Sequence, residues 1–341
     1  MKGITTMKST PLRTAALASA ALTLTLAGCA QTNGGGAADA SADYPSEGIE
    51  LLVGYDAGGP TDTGSRLIAE ELEKKLDTSV TVTNKPSANS QVAYTELAQA
   101  DPDGYTMSAV TFPSAIVTVL DESRGASYDR DSFAPVALQV IDPTAVAVAP
   151  DSELESPEDL IAYAKENPGE LQATTTGVGS NEHFALARLK EAADVDIAPV
   201  HFADGSTKAT TAFLGGNVDI LLTNVSDLQP LIDAGDVKVI GVMEAERSPF
   251  LPDVPTFTES GYDVEISSSR GFAFPAGTPD EVVDEVSEAI GEIMEDPAFE
   301  EKMTQVGLAP SYKDADEYAA YWDETETLFS ELLPLVQEEQ S

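Results

Sequence analysis

The stretch Gly54–Thr61, GYDAGGPT, comes within one residue of a phosphate-binding loop, with proline standing where that loop requires lysine. A phosphate loop uses the lysine for charge and the threonine for magnesium, and the dinucleotide pattern G-x-G-x-x-G is absent, so a nucleotide fits poorly. In Ala57-Gly58-Gly59-Pro60-Thr61-Asp62 two glycines let the backbone approach a ligand. The helix that follows presents unpaired N–H groups and the positive end of its dipole. Such a turn suits a carboxylate held by backbone donors and ordered water. A tight strand-to-helix turn without any ligand would be written the same way.

The pattern recurs at Thr174-Thr175-Thr176-Gly177-Val178-Gly179-Ser180-Asn181 and again at Phe202-Ala203-Asp204-Gly205-Ser206-Thr207. Ser180 and Ser206 stand where helix caps stand, the commoner role for such serines. Three converging turns suggest a clamp for an anion.

Other chemistry is sparsely represented. There is no G-x-S-x-G elbow, no H-E-x-x-H and no Cys-x-x-Cys, and DPDG at 101–104 lacks the rest of a calcium loop. No metal site and no cofactor are expected. His183 and His201 are the two histidines. His183, one turn into the helix after the second glycine turn, either reaches a ligand or serves in capping and packing. A serine hydrolase using Ser180 or Ser206 with a histidine is the enzyme alternative, and an adhesion lipoprotein without a small ligand is a third.

These turns need a scaffold, and the chain writes one. Short β-rich runs (IELLVG, SVTVTN, YTMSAV, TAVAVA, LQATTT, IAPVHF, VDILLT, VKVIGV) alternate with helical patterns, which predicts parallel-type α/β layers. Ile68, Leu72 and Leu76 recur every fourth residue with Leu67 beside them, while Glu70, Glu71, Glu73 and Lys74 face outward. Further helices are predicted over 157–166, 180–193, 206–214, 279–295 and 314–333, and Gly215-Gly216 stops one of them. RSPFLPDVPTF, with Pro249, Pro252 and Pro255, predicts an extended link between domains, and Asp142-Pro143 marks a second crossing where a β-run is interrupted.

The chain has 341 residues, enough for two medium domains or one large one, and carries 59 acidic against 18 basic residues. That surface repels nucleic acid and anionic lipid and resembles the solvated shell of a salt-adapted protein. Screening over about 8 Å at physiological ionic strength still lets local donors hold an anion. Lys2, Lys8 and Arg13 precede an apolar run, Ala15–Ala27, too short to span a bilayer comfortably, and Leu26-Ala27-Gly28-Cys29 resembles the bacterial lipoprotein cleavage box. Cys29 is the single cysteine, and lipid attachment gives it a reason to exist. Residues 1–28 thus read as a signal peptide and 29–43 as a flexible tether. No later apolar run approaches the roughly 20 residues of a membrane span.

Taken in order, YPSEGIELLVGYDAGGPTDTGSRLIAEEL, NKP, DPDGYTM, GVGSNEHFA, FLGGNVDIL, GVMEAERSPFLPDVPTFTESGY and FAFPAGTP resemble the Bug family, the extracytoplasmic solute receptors of tripartite tricarboxylate transporters. The resemblance spans nearly all of residues 44–335. It implies an α/β, two-lobed, periplasmic-binding-protein-like (type II) Venus flytrap with a hinge, working as a monomer. Such a receptor would carry a tricarboxylate or dicarboxylate to integral membrane transporter subunits. The lobes would be 44–141 plus 250–341, and 142–248. Carried over, the ligand-binding positions are Ala57, Gly58, Gly59 and Thr61 on one side and Gly177, Gly179, Ser180 and Asn181 on the other. Thr111, Pro113, Ser114, Gly205, Ser206, Asn224 and Ser226 would complete the pocket. After NKP the usual glycine-rich continuation reads SANS, and the aromatic often found before the G-F/L-A-P strand is missing from SSSRGFAFP. Arg270 stands there instead, either to fork onto a second ligand carboxylate or to bridge to an acidic group of the chain.

Replacing Cys29 with serine is expected to move the protein from the membrane fraction to the soluble extracytoplasmic fraction and to abolish incorporation of labelled fatty acid. Unchanged fractionation would remove the anchor from the account.

Overall fold

The computed structural model describes residues 44–202 and 206–338, so the leader, the tether, Cys29 and Gly205 lie outside the described residues. The chain runs β1 (Ile49–Val53), α1 (Pro60–Leu76), β2 (Val80–Asn84), α2 (Gln91–Gln99), β3 (Thr106–Phe112), α3 (Ser114–Leu120) and the long β4 (Phe133–Val148). It continues through α4 (Pro157–Glu166), β5 (Gln172–Thr175), α5 (Asn181–Ala193), β6 (Ala198–His201), α6 (Ser206–Leu214), β7 (Ile220–Asn224), α7 (Val225–Ala234) and β8 (Lys238–Val242). The last elements are β9 (Ser267–Pro275), α8 (Asp280–Met294), α9 (Pro297–Gln305), β10 (Pro310–Lys313) and α10 (Ala315–Glu338). None of the described helices is long and apolar enough to cross a membrane.

The local rules explain the helix ends. Pro60 and Pro157 occupy first-turn positions where the missing N–H costs nothing, and Ser156 Oγ accepts the Asp159 amide at 3.2 Å. Ile68, Ala69 and Leu72 of α1 are buried while Glu70, Glu73 and Lys74 are exposed, which seats one face on the sheet. α6 stops at Leu214, and Gly216, at φ 68°, takes the left-handed turn that follows.

Two sets of strands share one strand. β2, β1 and β3 pair in parallel, as do β6, β5 and β7. Both sets thus have the parallel layering that the alternation of strands and helices predicts, and between them the pairing is antiparallel. β9 lies between β3 and the first half of β4, while Thr144–Val148 of β4 pairs with β7 and β8. β4 therefore passes from one set to the other without a break, and its partners change at Pro143, a residue with no N–H to lose. Pro135 likewise falls where the register with β9 shifts. The interruption expected at Asp142-Pro143 is thus a change of partners inside a continuous strand.

The segment 247–257 also differs from expectation. It forms turns that fold back on β8, with Phe257 N donating to Val242 O and Arg247 paired with Glu259. Its prolines forbid a regular element, as the sequence says, but they suit turns as well as extension. Phe250, Leu251 and Val254 pack with Ala145, Leu221 and Val242. α10 spans both strand sets: Trp322 stands edge-on to Phe112 at 4.8 Å and stacked on Phe133 at 5.8 Å, and one end of the helix brings Phe329 to 4.8 Å from Phe184 of α5.

Candidate functional site

A cavity of about 530 Å³ opens at the C-terminal ends of β1, β3, β5 and β7. It is the place where open α/β sheets bind ligands, because loops and helix N-termini converge there.

The β1–α1 turn is held from within. Gly58, at φ 87°, donates its amide to Asp62 Oδ2 at 2.8 Å. The buried Asp62 also takes Arg66 Nε at 2.9 Å, Arg66 Nη2 at 2.9 Å and Asn84 Nδ2 at 2.9 Å. Burial pushes the Asp62 carboxyl upward, but the bonds from Arg66, Gly58 and Asn84 outweigh it and hold the group below the usual carboxylate range. Ser90 closes the turn from behind: a Cβ on Gly54 would stand 2.2 Å from Ser90 Cβ, so only glycine fits there. Asn89 and Ser90, in the SANS stretch, both adopt left-handed backbone conformations. Thr61 lines the cavity with Pro60, whereas Ala57, Gly58 and Gly59 stand outside its lining.

The β3–α3 junction contributes Thr111, Pro113 and Ser114, all in the lining. Tyr55 OH bonds to Thr111 Oγ1 and, at 3.2 Å, to Ser114 Oγ, while Tyr94 OH accepts the Thr111 amide at 3.0 Å. These bonds fix both hydroxyls at the cavity edge.

The β5–α5 turn is also tied internally. Gly179 N donates to His183 Nδ1 at 3.1 Å, Gly177 N to Thr175 Oγ1 at 3.4 Å and Ser180 N to Gly177 O at 3.2 Å. Three amides expected to face a ligand are therefore engaged inside their own turn, as is that of Gly58. Gly177, Gly179, Ser180 and Asn181 nonetheless line the cavity. His183 is fully buried behind the turn, 4.8 Å centroid to centroid from His201, and is outside the lining. It acts as the acceptor that shapes the turn. Ser180 Oγ accepts the main-chain N–H of His183 at 3.3 Å, the bond of a helix cap.

Asn181 Nδ2 donates to Thr144 Oγ1 at 2.7 Å and to Asn224 Oδ1 at 3.2 Å, and Asn224 Nδ2 donates to Ser268 Oγ at 2.7 Å. Asn181 Oδ1 is buried without a partner. Asn224 lines the cavity; Ser206 is exposed and outside it. Ser226 lies outside the lining too, with its amide on Asp142 Oδ1 at 3.1 Å and its hydroxyl on Asp142 Oδ2 at 2.6 Å. Asp142 Oδ2 also receives Arg270 Nη2 at 3.1 Å, so Arg270 makes the bridge to an acidic group, while its Nη1 is buried with no partner.

Several lining residues were not anticipated: Tyr55, Asn89, Arg124, Thr176, Glu182 and Ser268. Arg124 is braced by Asp121 and reaches Val178 O in the β5–α5 turn at 3.3 Å, a pairing 54 positions apart that no local pattern announces. Glu182, next to Asn181, takes the Thr176 hydroxyl at 2.6 Å. A second hollow, about 210 Å³ beside Tyr321, is lined by Glu244, Glu265 and Glu324. Burial raises the Glu265 pKa, with Glu244 and Asp263 adding to it, and this surrounding does not suit an anion. Among the described residues there is no cluster of three or more His, Cys, Asp and Glu able to hold a metal ion.

Two strand sets sharing β4, with a polar cavity at the strand ends, define a two-lobed periplasmic solute-binding fold. The family described as tripartite tricarboxylate transporter family receptor matches residues 65–334, and the chain belongs to it. A TctC solute-binding protein from Polaromonas is 26% identical with a TM-score of 0.76, the match covering 85% of this chain and 99% of that one. Rhodopseudomonas palustris supplies two more structures: Rpa4515 with adipate (25% identity, TM-score 0.73, 86% and 98% covered) and MatC with bound malate (25%, 0.67, 86% and 100%).

Because the Asp62 pKa is depressed in the folded state, its contribution is present above about pH 4, the ordinary aspartate value, and is lost as pH falls through the folded value. Asp62→Asn is expected to be less stable than wild type at pH 7 in urea denaturation, with the gap narrowing below about pH 4. A gap that stays constant with pH would contradict this role.

Proposed function

We propose that this extracytoplasmic solute-binding receptor captures a carboxylated metabolite between two lobes and delivers it to integral membrane transporter subunits, remaining at the membrane as a monomer through lipid on Cys29. The observation that carries the reading is electrostatic. A chain with 18 basic and 59 acidic residues brings two guanidinium groups, Arg124 and Arg270, to one cavity. Hydroxyls of Thr61, Thr111, Ser114 and Ser180 stand on the same walls. Guanidinium and hydroxyl donors together suit a carboxylate. The adipate and malate held by the two R. palustris proteins support the same class of ligand.

In this reading the first lobe comprises 44–141 and the chain from β9 onward, and the second comprises 142–248. Residues 250–266 travel with the second lobe, since Phe250, Leu251 and Val254 pack there. β4 is the hinge strand, because it runs from one strand set to the other, and β9 lies beside its first half. The ligand-binding positions are Thr61, Thr111, Pro113, Ser114, Gly177, Gly179, Ser180, Asn181 and Asn224, joined by Arg124 and Arg270. Ala57, Gly58 and Gly59 shape the first turn, and Ser226 braces Asp142.

A thermal-shift panel of mono-, di- and tricarboxylates tests the reading. A ligand at 100 times its dissociation constant is expected to stabilise the protein by about 2.7 kcal/mol. A panel in which no carboxylate raises the melting temperature would overturn it.

A further inference from the structure

Arg270 occupies the cavity wall in an arrangement that is chemically incomplete. The residue is 9% exposed, and its Nη2 is committed to Asp142 Oδ2. Asp142 does not reach the other side of the fork: Oδ1 takes the Ser226 amide, and Oδ2 takes the Ser226 hydroxyl as well as Nη2. Nη1 remains buried without any partner. A buried donor on a permanently charged group is costly when unsatisfied, and a planar guanidinium whose Nη1 has no acceptor is built to receive an oxygen of an anion.

We propose that Arg270 is a specificity-determining residue, whose Nη1 binds the distal carboxylate of the ligand and makes the site select dicarboxylates over their monocarboxylate analogues. The proposal rests on the carboxylate-receptor reading and deepens it. Arg124 supplies a second guanidinium on the same cavity, so the two ends of a dianion each meet a cation. Glu182, 7% exposed and held by Thr176, lines the cavity as well and would oppose a third carboxylate. Asp142 and Ser226 are positioning residues: they hold Arg270 by one edge and leave the other free.

The test is isothermal titration of the mature protein with adipate and hexanoate, which differ in one carboxylate, and with citrate as the tricarboxylate probe. Wild type is expected to bind adipate at least about tenfold more tightly than hexanoate or citrate. Arg270→Gln is expected to lose about 10- to 100-fold for adipate while changing hexanoate by less than about twofold, and Arg270→Lys to recover only part of the loss. Because Arg270→Gln leaves Asp142 buried and unpaired, the paired variant Asp142→Asn/Arg270→Gln, which removes both charges, is titrated beside it, with circular dichroism checking the fold. Equal losses for adipate and hexanoate, or an unchanged adipate affinity in the paired variant, would overturn the proposal and leave the carboxylate reading intact. If no probe of the thermal-shift panel binds wild type, the carboxylate reading fails and the proposal falls with it.

Discussion

The buried pair between Arg270 of β9 and Asp142 of β4 is the interaction on which the site is organised. Burying two charges is expensive, and the cost is offset only when geometry and extra hydrogen bonds satisfy both groups. Asp142 is satisfied on both oxygens by Ser226 and Arg270, which ties the start of α7 to β4, the strand shared by both sets, and to its neighbour β9. Arg270 is satisfied on one side only. Removing either partner would strand a buried charge at a cost of about 3–5 kcal/mol, so the pair constrains the fold as well as the cavity.

The turns around the cavity owe their shape to side chains behind them. Asp62 holds Gly58, and His183 holds Gly179, so each glycine turn is tied by a residue from the first turn of the helix that follows. These turns orient the hydroxyls and the asparagines, and their own amides are in large part already used. In the proposed reading, anion recognition shifts from backbone donors toward side chains, with Arg124 and Arg270 supplying the charge that a phosphate loop would draw from lysine.

Local signals made much of the scaffold legible. Ser156-Pro157 announces the start of α4, and Gly215-Gly216 announces the end of α6, because capping and left-handed turns depend on neighbours in the sequence. β4 was half hidden by Pro143, which reads as a break but sits where the strand changes partner. The central antiparallel pairing was invisible for a related reason: β9 reaches its place between β3 and β4 from more than a hundred residues away. The lining of the candidate site was legible where a strand runs directly into a helix, as at Thr111–Ser114 and Gly177–Asn181. Arg124 was not, since its role depends on Val178 across the cavity, and the partners of Arg270 became clear only when β4 and β9 lay side by side.

In the proposed complex a negatively charged metabolite sits in this cavity with an oxygen on the unpartnered Nη1 of Arg270. A crystal structure of the protein with a bound dicarboxylate tests it most directly. The account predicts a carboxylate oxygen about 2.7–2.9 Å from Arg270 Nη1, with Asp142 still on Nη2. A ligand bound elsewhere, or one in the cavity with Nη1 still lacking an acceptor, would contradict it.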